Sequence, residues 1–231
     1  MKSDPSPIPA KSAVTFRLPR QPLAVVFDLD GTLIDSEALV LDAYMAAAAQ
    51  HRVPFTHDQF LSLVGQHRAA SEQKMRAYFG PDFPLETFYA GVSAYIGDDH
   101  APLKPGALEL LDALDAAGTP FALATSSGRG WVDKHFKAHR LGHRFHAVVT
   151  RDDVANGKPH PEPYIKAATA LGHPPASILA VEDSPTGVRA AHAAGLMTVM
   201  APDLIKPDAE TRQLALVVVN SLDEVRAMLA G

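Results

Sequence analysis

Short apolar runs of strand length alternate along this sequence with segments of helical pattern, most of which stop at a glycine. Continuous apolar runs are typical of strands buried on both faces of a parallel sheet. The candidate strands lie at 23–27, 120–125, 147–150, 178–181, 197–200 and 216–219, and candidate helices between them at 106–117, 131–140, 161–171 and 185–194. This alternation predicts a doubly wound α/β sheet, whose ligands bind at the carboxyl ends of the strands.

The segment from Ser36 to Ala101 interrupts this alternation, because it contains no convincing strand pattern. Thr56 and Gln59 have the spacing of a capping box, and helical patterns follow near 69–79 and 85–96. We therefore predict a helical domain over residues 36–101, inserted between the two parts of the core at 23–35 and 102–231. It should cover the edge of the sheet where a ligand would bind.

Residues 1–22 precede the first strand pattern and contain five prolines without a continuous apolar stretch. A secretory signal needs such a stretch, so none is indicated. We predict a flexible, proline-rich tail that precedes the fold.

Composition excludes several classes of protein. Apolar residues make up 47% and charged residues 20% of the chain, as in ordinary globular proteins, and the net charge of −5 gives no overall attraction to nucleic acid or anionic lipid. With no cysteine, the chain has neither disulfides nor a thiolate nucleophile. We expect a cytoplasmic protein, a monomer or weak homodimer, that binds neither nucleic acid nor membranes.

Two carboxylates, Asp28 and Asp30, end the first strand and flank Leu29. Alternate residues of a strand point to the same side, so both carboxylates should face the same way. Two close negative charges need a cation, and Mg²⁺ prefers such oxygen ligands. The alternative interpretation is an ordinary turn at the Asp30-Gly31 dipeptide.

Three later apolar runs also end in polar residues, at 125–128, 157–159 and 182–184. Each has a simple alternative explanation: Thr125 as a helix cap, Lys158 as a solvated cation, and Glu182 with Asp183 as the acidic first turn of a helix. Because the carboxyl ends of parallel strands meet at one edge, the four sets together favour a site for a cation and a phosphate group.

The segments DLDGTLIDSE, LATSS, GKPHPEPY and VEDSPTGVRAAHAAG resemble the four ordered motifs of the haloacid dehalogenase-like superfamily. The resemblance extends over residues 23–231 and is closest to the branch of β-phosphoglucomutases and small sugar-phosphate phosphatases. It implies a Rossmann-like core with a small helical cap inserted after the first motif.

The resemblance also implies a role for each matching residue. Asp28 would attack phosphorus and form an aspartyl-phosphate, and Asp30 would act as general acid and base. Thr125 and Ser126 would bind the phosphoryl group, and Lys158 would neutralise its charge. Mg²⁺ would be held by Asp28, the carbonyl of Asp30, Asp183, and Glu182 directly or through water.

The cap segment Gln66-His67-Arg68 resembles the loop that reaches the substrate in this branch, the alternative being an exposed connection between helices. Arg129 could bind a distal anion of the substrate or point to solvent, and Trp131 is interpreted as a packing residue. The histidines near Trp131 have helical spacing without a matched carboxylate, which favours a solvated helix face over a zinc site. They are His135, His139, His143 and His146.

These features predict a Mg²⁺-dependent phosphatase acting on a small phosphomonoester, with a sugar or polyol phosphate expected. The first alternative is a β-phosphoglucomutase-like phosphohexomutase. Against it, Val40 stands where those mutases carry a cap histidine, and Gly128 stands where they carry a lysine. The alternative of another class is a non-catalytic sugar-phosphate sensor, which the complete set of motif residues disfavours.

Overall fold

The protein, represented by a computed structural model that describes residues 16–64, 66 and 68–230, has a six-stranded parallel sheet at its centre. The strands are β1 Ala24–Phe27, β2 Phe121–Ala124, β3 Ala147–Val149, β4 Ile178–Glu182, β5 Met197–Met200 and β6 Val217–Val218. They follow one another across the sheet in the order β3-β2-β1-β4-β5-β6. The predicted doubly wound, Rossmann-like sheet is confirmed.

The helices alternate with the strands except between β1 and β2. The described helices are α1 Glu37–Gln50, α2 His57–Leu63, α3 Arg68–Phe79, α4 Leu85–Ile96, α5 Ala107–Ala116, α6 Arg129–His139, α7 Glu162–Leu171, α8 Pro185–Ala193, α9 Ala209–Leu214 and α10 Leu222–Leu229. In the part of the chain that the structure describes, no helix combines the length and apolar character needed to cross a bilayer.

The two faces of the sheet form separate apolar cores, because alternate strand residues point to opposite sides. In β1, Val25 and Phe27 belong to a core with residues of α5, α6 and α10, whereas Ala24 and Val26 belong to a second core with residues of α7 and α8. All four are fully buried. Burial on both faces explains why the strands are continuous apolar runs.

Strand register brings the predicted motif residues together. Phe27 of β1 pairs with Leu123 of β2 on one side and with Val181 of β4 on the other. The residues that follow these three positions therefore emerge side by side at one edge of the sheet. That edge holds the candidate functional residues.

Helices α1 to α4 fill the stretch between β1 and β2 and build a third apolar core of their own. At the start of α2, the Gln59 backbone N–H donates to Thr56 Oγ1 over 3.2 Å, and the Thr56 N–H donates to Gln59 Oε1 over 2.9 Å. This capping box confirms the one predicted from the sequence. The limits of the cap at residues 36 and 101 stay a prediction.

Two helices near the carboxyl end, α9 and α10, were not predicted from the sequence. Their N-caps are Asp208 and Ser221, whose side chains accept hydrogen bonds from Thr211 N and Glu224 N over 2.7 Å and 3.3 Å. The six residues of α9 offer too short a pattern to distinguish a helix from a loop. Helix α10 packs on the core through Leu222, Val225 and Met228.

The expected tail differs from the structure at its described end. Phe16 and Leu18 are partly buried and pack against the core that α5, α6 and α10 form. These two apolar residues therefore belong to the fold, although they precede the predicted boundary at residue 22. The remainder of the proposed tail, residues 1–15, lies outside the described part of the chain.

The interpretation of the α6 histidines as a solvated face is wrong for His135, which is fully buried. Its Nε2 accepts a hydrogen bond from the Ala101 N–H over 3.0 Å, and His139 Nε2 lies 2.7 Å from the Ala101 carbonyl oxygen. Both histidines thus fix the segment that returns from the cap to the core. Burial lowers the pKa of His135, which favours its neutral form.

Candidate active site

Asp28 and Asp30 follow β1 at the centre of the sheet edge, and Gly31 turns the chain away. Gly31 has a φ of +76°, and a Cβ at this position would lie 2.5 Å from Asp183 Oδ2. Both the left-handed backbone and the close approach of Asp183 require glycine here. The first motif is therefore fitted closely against the fourth.

Three side chains donate hydrogen bonds to the Asp30 carboxylate. Ser36 Oγ and Trp131 Nε1 donate to Oδ1 over 2.7 Å and 2.9 Å, and Ser127 Oγ donates to Oδ2 over 2.6 Å. These donors come from the start of the cap, from α6 and from the loop after β2. They hold the carboxylate in one orientation beside Asp28.

Lys158 lies between the carboxylates of Asp28 and Glu182. Its Nζ is 2.8 Å from Asp28 Oδ1 and 2.5 Å from Glu182 Oε1, and the lysine is only 2% exposed. Although burial alone would lower the pKa of Lys158, the two carboxylates outweigh it and raise the pKa. Lys158 is therefore a permanent buried cation next to Asp28.

Hydrogen-bond donors surround both oxygens of Glu182. Oε1 also accepts from the Tyr164 hydroxyl over 2.6 Å, and Oε2 accepts from the backbone N–H groups of Asp183 and Ser184 and from Ser184 Oγ over 3.1 to 3.2 Å. A Cβ at Gly187 would overlap the Glu182 carboxylate, at 1.7 Å from Oε1. Glu182 is thus fixed at the N-terminus of α8, and its primary contacts are with the protein.

Asp28, Glu182 and Asp183 form a buried cluster in which one carboxylate oxygen of each residue lies within 4.8 Å of the others. Three carboxylates beside one ammonium leave an excess of two negative charges, which a divalent cation would balance. Burial raises the pKa of Asp28 to about 7 and that of Asp183 well above its ordinary range, with neighbouring carboxylates adding to both shifts. The donor set and its charge fit Mg²⁺.

The loop after β2 offers hydroxyl groups beside Asp28. Thr125 is 2% exposed, and its Oγ1 accepts the Ser127 backbone N–H over 3.1 Å. The buried Ser126 hydroxyl has no hydrogen-bond partner among the described residues. A buried hydroxyl without a partner is costly, and a phosphate oxygen would satisfy it.

A cavity of about 520 Å³ separates these core residues from the cap. Gln66 and Arg68 of the predicted cap segment line it, and His67 lies outside the described residues. Contact of this segment with a substrate stays a prediction. The apolar part of the cap wall comes from α1, α2, α4 and the residue that follows α2. It comprises Val40, Tyr44, Phe60, Leu63, Val64, Tyr89, Val92 and Ile96.

The arginines near the cavity differ from expectation. Arg129 is not among the lining residues, and its Nη2 donates to the Val148 carbonyl over 3.0 Å and to Asp153 Oδ2 over 2.7 Å. Arg151, for which no role was predicted from the sequence, lines the cavity instead. The sequence signal that could have identified Arg151 is its position shortly after β3, since the motif residues also follow strands.

Trp131, interpreted from the sequence as a packing residue, has two roles in the structure. Its ring packs against both the α5/α6/α10 core and the cap core, and its Nε1 donates to Asp30. Ser36 and Ser127 were also missed as partners of Asp30. Side chains on three separate segments meet here, and sequence spacing alone does not reveal such a meeting.

We expect Trp131→Phe to lower kcat about 10-fold while KM stays nearly unchanged, and to lower Tm by several degrees without preventing folding. The phenyl ring keeps most of the packing but cannot donate to Asp30, and a hydrogen bond to a charged group is worth roughly 1.5–3 kcal/mol. Steady-state kinetics and thermal unfolding of both proteins check this. An unchanged kcat would show that the indole N–H does not position Asp30.

Comparison with known proteins agrees with this geometry. The family model described as haloacid dehalogenase-like hydrolase matches residues 25–201. Validoxylamine A 7'-phosphate phosphatase from Streptomyces hygroscopicus subsp. limoneus is 32% identical over 87% of this chain and 94% of its own. A phosphorylated carbohydrates phosphatase from Thermotoga maritima is 32% identical over 75% and 82%.

A crystal structure shares the fold. β-Phosphoglucomutase from Clostridium difficile superposes with a TM-score of 0.73 at 21% identity, over 88% of this chain and 93% of the other. The matched family segment begins in β1 and extends past β5, so it includes all four motifs. The chain therefore belongs to the haloacid dehalogenase-like hydrolase family.

Proposed function

We propose that this protein is a Mg²⁺-dependent phosphatase that hydrolyses a small phosphomonoester, with a sugar or polyol phosphate as the expected substrate, through an aspartyl-phosphate on Asp28. The enzyme class, phosphoric monoester hydrolase, follows from the family and from its phosphatase relatives. The observation that carries the mechanism is the buried placement of Asp28 between Lys158 and the carboxylates of Glu182 and Asp183.

Asp28 is the proposed nucleophile. One of its carboxylate oxygens forms a bond to phosphorus as the bond from phosphorus to the leaving oxygen breaks. Lys158 stays protonated throughout and offsets negative charge on the carboxylate and the phosphoryl group. Thr125 and Ser126 donate hydrogen bonds that orient the phosphoryl oxygens.

Asp30 is the proposed general acid and base. It gives a proton to the leaving oxygen in the first step, and in the second step it takes a proton from the water that attacks the aspartyl-phosphate. Inorganic phosphate and the free Asp28 carboxylate result. The hydrogen bonds from Ser36, Ser127 and Trp131 keep the Asp30 side chain in position for both steps.

Asp28, Asp183 and the carbonyl of Asp30 are the proposed Mg²⁺ ligands, with Glu182 contributing directly or through water. Because donors from the protein surround both Glu182 oxygens, the contribution through water is favoured. When bound, Mg²⁺ supplies positive charge that stabilises the transferring phosphoryl group.

Hydrolysis is favoured over a mutase reaction by the lining of the cavity. Val40 of α1 lies in the cavity wall, and its side chain can neither donate nor accept a hydrogen bond. A mutase must exclude water so that a sugar hydroxyl accepts the phosphoryl group. Val40 cannot couple cap closure to a proton-transferring group.

The test is a screen of hexose, pentose and polyol phosphates that measures released phosphate and, separately, isomerisation of β-glucose 1-phosphate. We expect phosphate release with Mg²⁺, none in excess chelator, and recovery when Mg²⁺ is restored. Isomerisation should be slow or absent. Fast isomerisation that needs a bisphosphate primer and releases little phosphate would contradict the hydrolase proposal and support the mutase. Tight binding without any turnover would support the sensor.

A further inference from the structure

Three cations from the described residues line the cavity between core and cap: Lys158, Arg68 and Arg151. Lys158 is engaged by Asp28 and Glu182. Arg68 is also engaged, since its Nε lies 2.5 Å from Glu72 Oε1 and its guanidinium stacks 3.8 Å from the centre of the Tyr89 ring. Both of these cations therefore have close partners within the protein.

Arg151 has weaker contacts than the other two. Its Nε lies 3.7 Å from Asp152 Oδ1, beyond hydrogen-bond distance, and its side chain is 34% exposed. The same Asp152 carboxylate accepts the Arg129 backbone N–H through Oδ2 over 2.7 Å, at the start of α6. No described residue accepts a hydrogen bond from the Arg151 guanidinium, whose terminal nitrogens are therefore available to a ligand.

The position of the guanidinium is defined by Gly128. A Cβ on Gly128 would lie 2.7 Å from Arg151 Nη2, so the arginine occupies the space that a side chain at position 128 would take. Gly128 directly follows Ser127, which donates to Asp30. The guanidinium consequently lies against the loop whose Ser127 positions the proposed acid and base, and it makes no contact with Lys158 or Asp28.

The charge of Arg151 also reaches the cap. Burial raises the pKa values of Tyr44 and Tyr89, which line the opposite wall, and the positive charge of Arg151 opposes both shifts. Arg151, Tyr44 and Tyr89 line the same cavity between core and cap, the space that the leaving group of a substrate would fill.

We propose that Arg151 is a specificity-determining residue that binds a second anionic group, a phosphate or a carboxylate, carried by the leaving-group part of the substrate. A planar guanidinium with free terminal nitrogens matches either anion through paired hydrogen bonds. The inference rests on the proposed phosphatase function and narrows its substrate class to phosphomonoesters with a second negative charge.

The experiment compares kcat/KM within two matched pairs of substrates. Fructose 1,6-bisphosphate with fructose 6-phosphate tests a second phosphate, and 3-phosphoglycerate with glycerol 3-phosphate tests a carboxylate. We expect a preference of about 10- to 100-fold for the doubly anionic member of at least one pair, as for charge-assisted hydrogen bonds. Arg151→Gln should remove most of this preference, chiefly through KM.

Two further variants separate a binding role from a structural one. Arg129→Gln, which changes a nearby arginine bound outside the cavity, should leave the preference intact. Adding Gly128→Lys to Arg151→Gln returns a cation to the same space and should restore part of the preference.

Two results would overturn the inference alone. They are the absence of a preference in the unmodified enzyme, and an equal loss of kcat/KM for both members of a pair in Arg151→Gln. Absence of phosphate release from every substrate would overturn the phosphatase function, and the inference would fall with it.

Discussion

Asp28→Asn is expected to abolish phosphate release while the protein keeps its fold. The amide has nearly the shape of the carboxylate but carries no negative charge, so it can neither attack phosphorus effectively nor bind Mg²⁺ as well. We expect activity to fall to the background of the assay, measured as released phosphate with Mg²⁺ present. Asp133→Asn, a change of an exposed aspartate on α6, is the matched control and should keep full activity.

Thermal unfolding gives this variant a second, independent result. In the metal-free protein, Asp28→Asn removes one of the three buried carboxylates of the cluster, and Lys158 keeps Glu182 as a partner. The metal-free Tm should therefore stay the same or rise. We expect Mg²⁺ to raise the Tm of the unmodified protein and to raise that of Asp28→Asn less, because stabilisation by a bound ligand grows with the logarithm of its affinity for the folded state. Substantial phosphate release by a pure preparation of Asp28→Asn would contradict the covalent mechanism.

The sequence predicts the centre of the site well because parallel strands bring their carboxyl ends together. Asp28 follows β1 and Asp183 follows β4, and their proximity follows from the topology and the register of the sheet. Lys158 could also be assigned, since its position in an ordered set of motifs limits its place in the fold. Local spacing and topology were sufficient to bring the two aspartates together, whereas the role of Lys158 was implied by the family resemblance.

The side chains that hold the central carboxylates in position come together through tertiary packing, which local sequence patterns do not reveal. The indole of Trp131 donates to Asp30 although 101 positions separate the two residues in the sequence. Tyr164, on the buried side of α7, likewise donates to Glu182. Tyrosine and tryptophan are ordinary packing residues in most helices, so their polar atoms become informative only in three dimensions.

The sequence predicted that the cap is a group of helices, but it did not predict which cap residues line the cavity. Capping residues and prolines mark its helix ends, whereas its cavity wall depends on how α1, α2 and α4 are rotated. Arg151 illustrates the same limit on the core side. It occupies the space next to Gly128 although 23 positions separate the two in the printed sequence. Selectivity for the leaving group therefore cannot be derived from the motifs.

Asp30→Asn is expected to slow turnover by roughly 10²- to 10⁴-fold, the usual range for loss of general acid and base catalysis. Its carboxylate binds Ser36, Ser127 and Trp131 and is not part of the carboxylate cluster formed with Asp183. Affinity for Mg²⁺ and for inorganic phosphate should consequently be preserved. Both can be measured by calorimetry, alongside kcat for the screened substrates.

Two comparisons distinguish proton transfer by Asp30 from a role in binding the metal. The loss should be smaller for an aryl phosphate, whose leaving oxygen needs little protonation, than for a sugar phosphate with an alkoxide leaving group. In the Asp30→Asn background, adding Trp131→Phe should have little further effect, because the indole N–H then has no carboxylate to position. A collapse of Mg²⁺ affinity in Asp30→Asn would instead identify the side chain as a metal ligand. The three donors to Asp30 come from the cap, from α6 and from the loop after β2. If Asp30→Asn and Trp131→Phe reduced turnover independently, these contacts would serve to dock the cap and would not position Asp30 for catalysis.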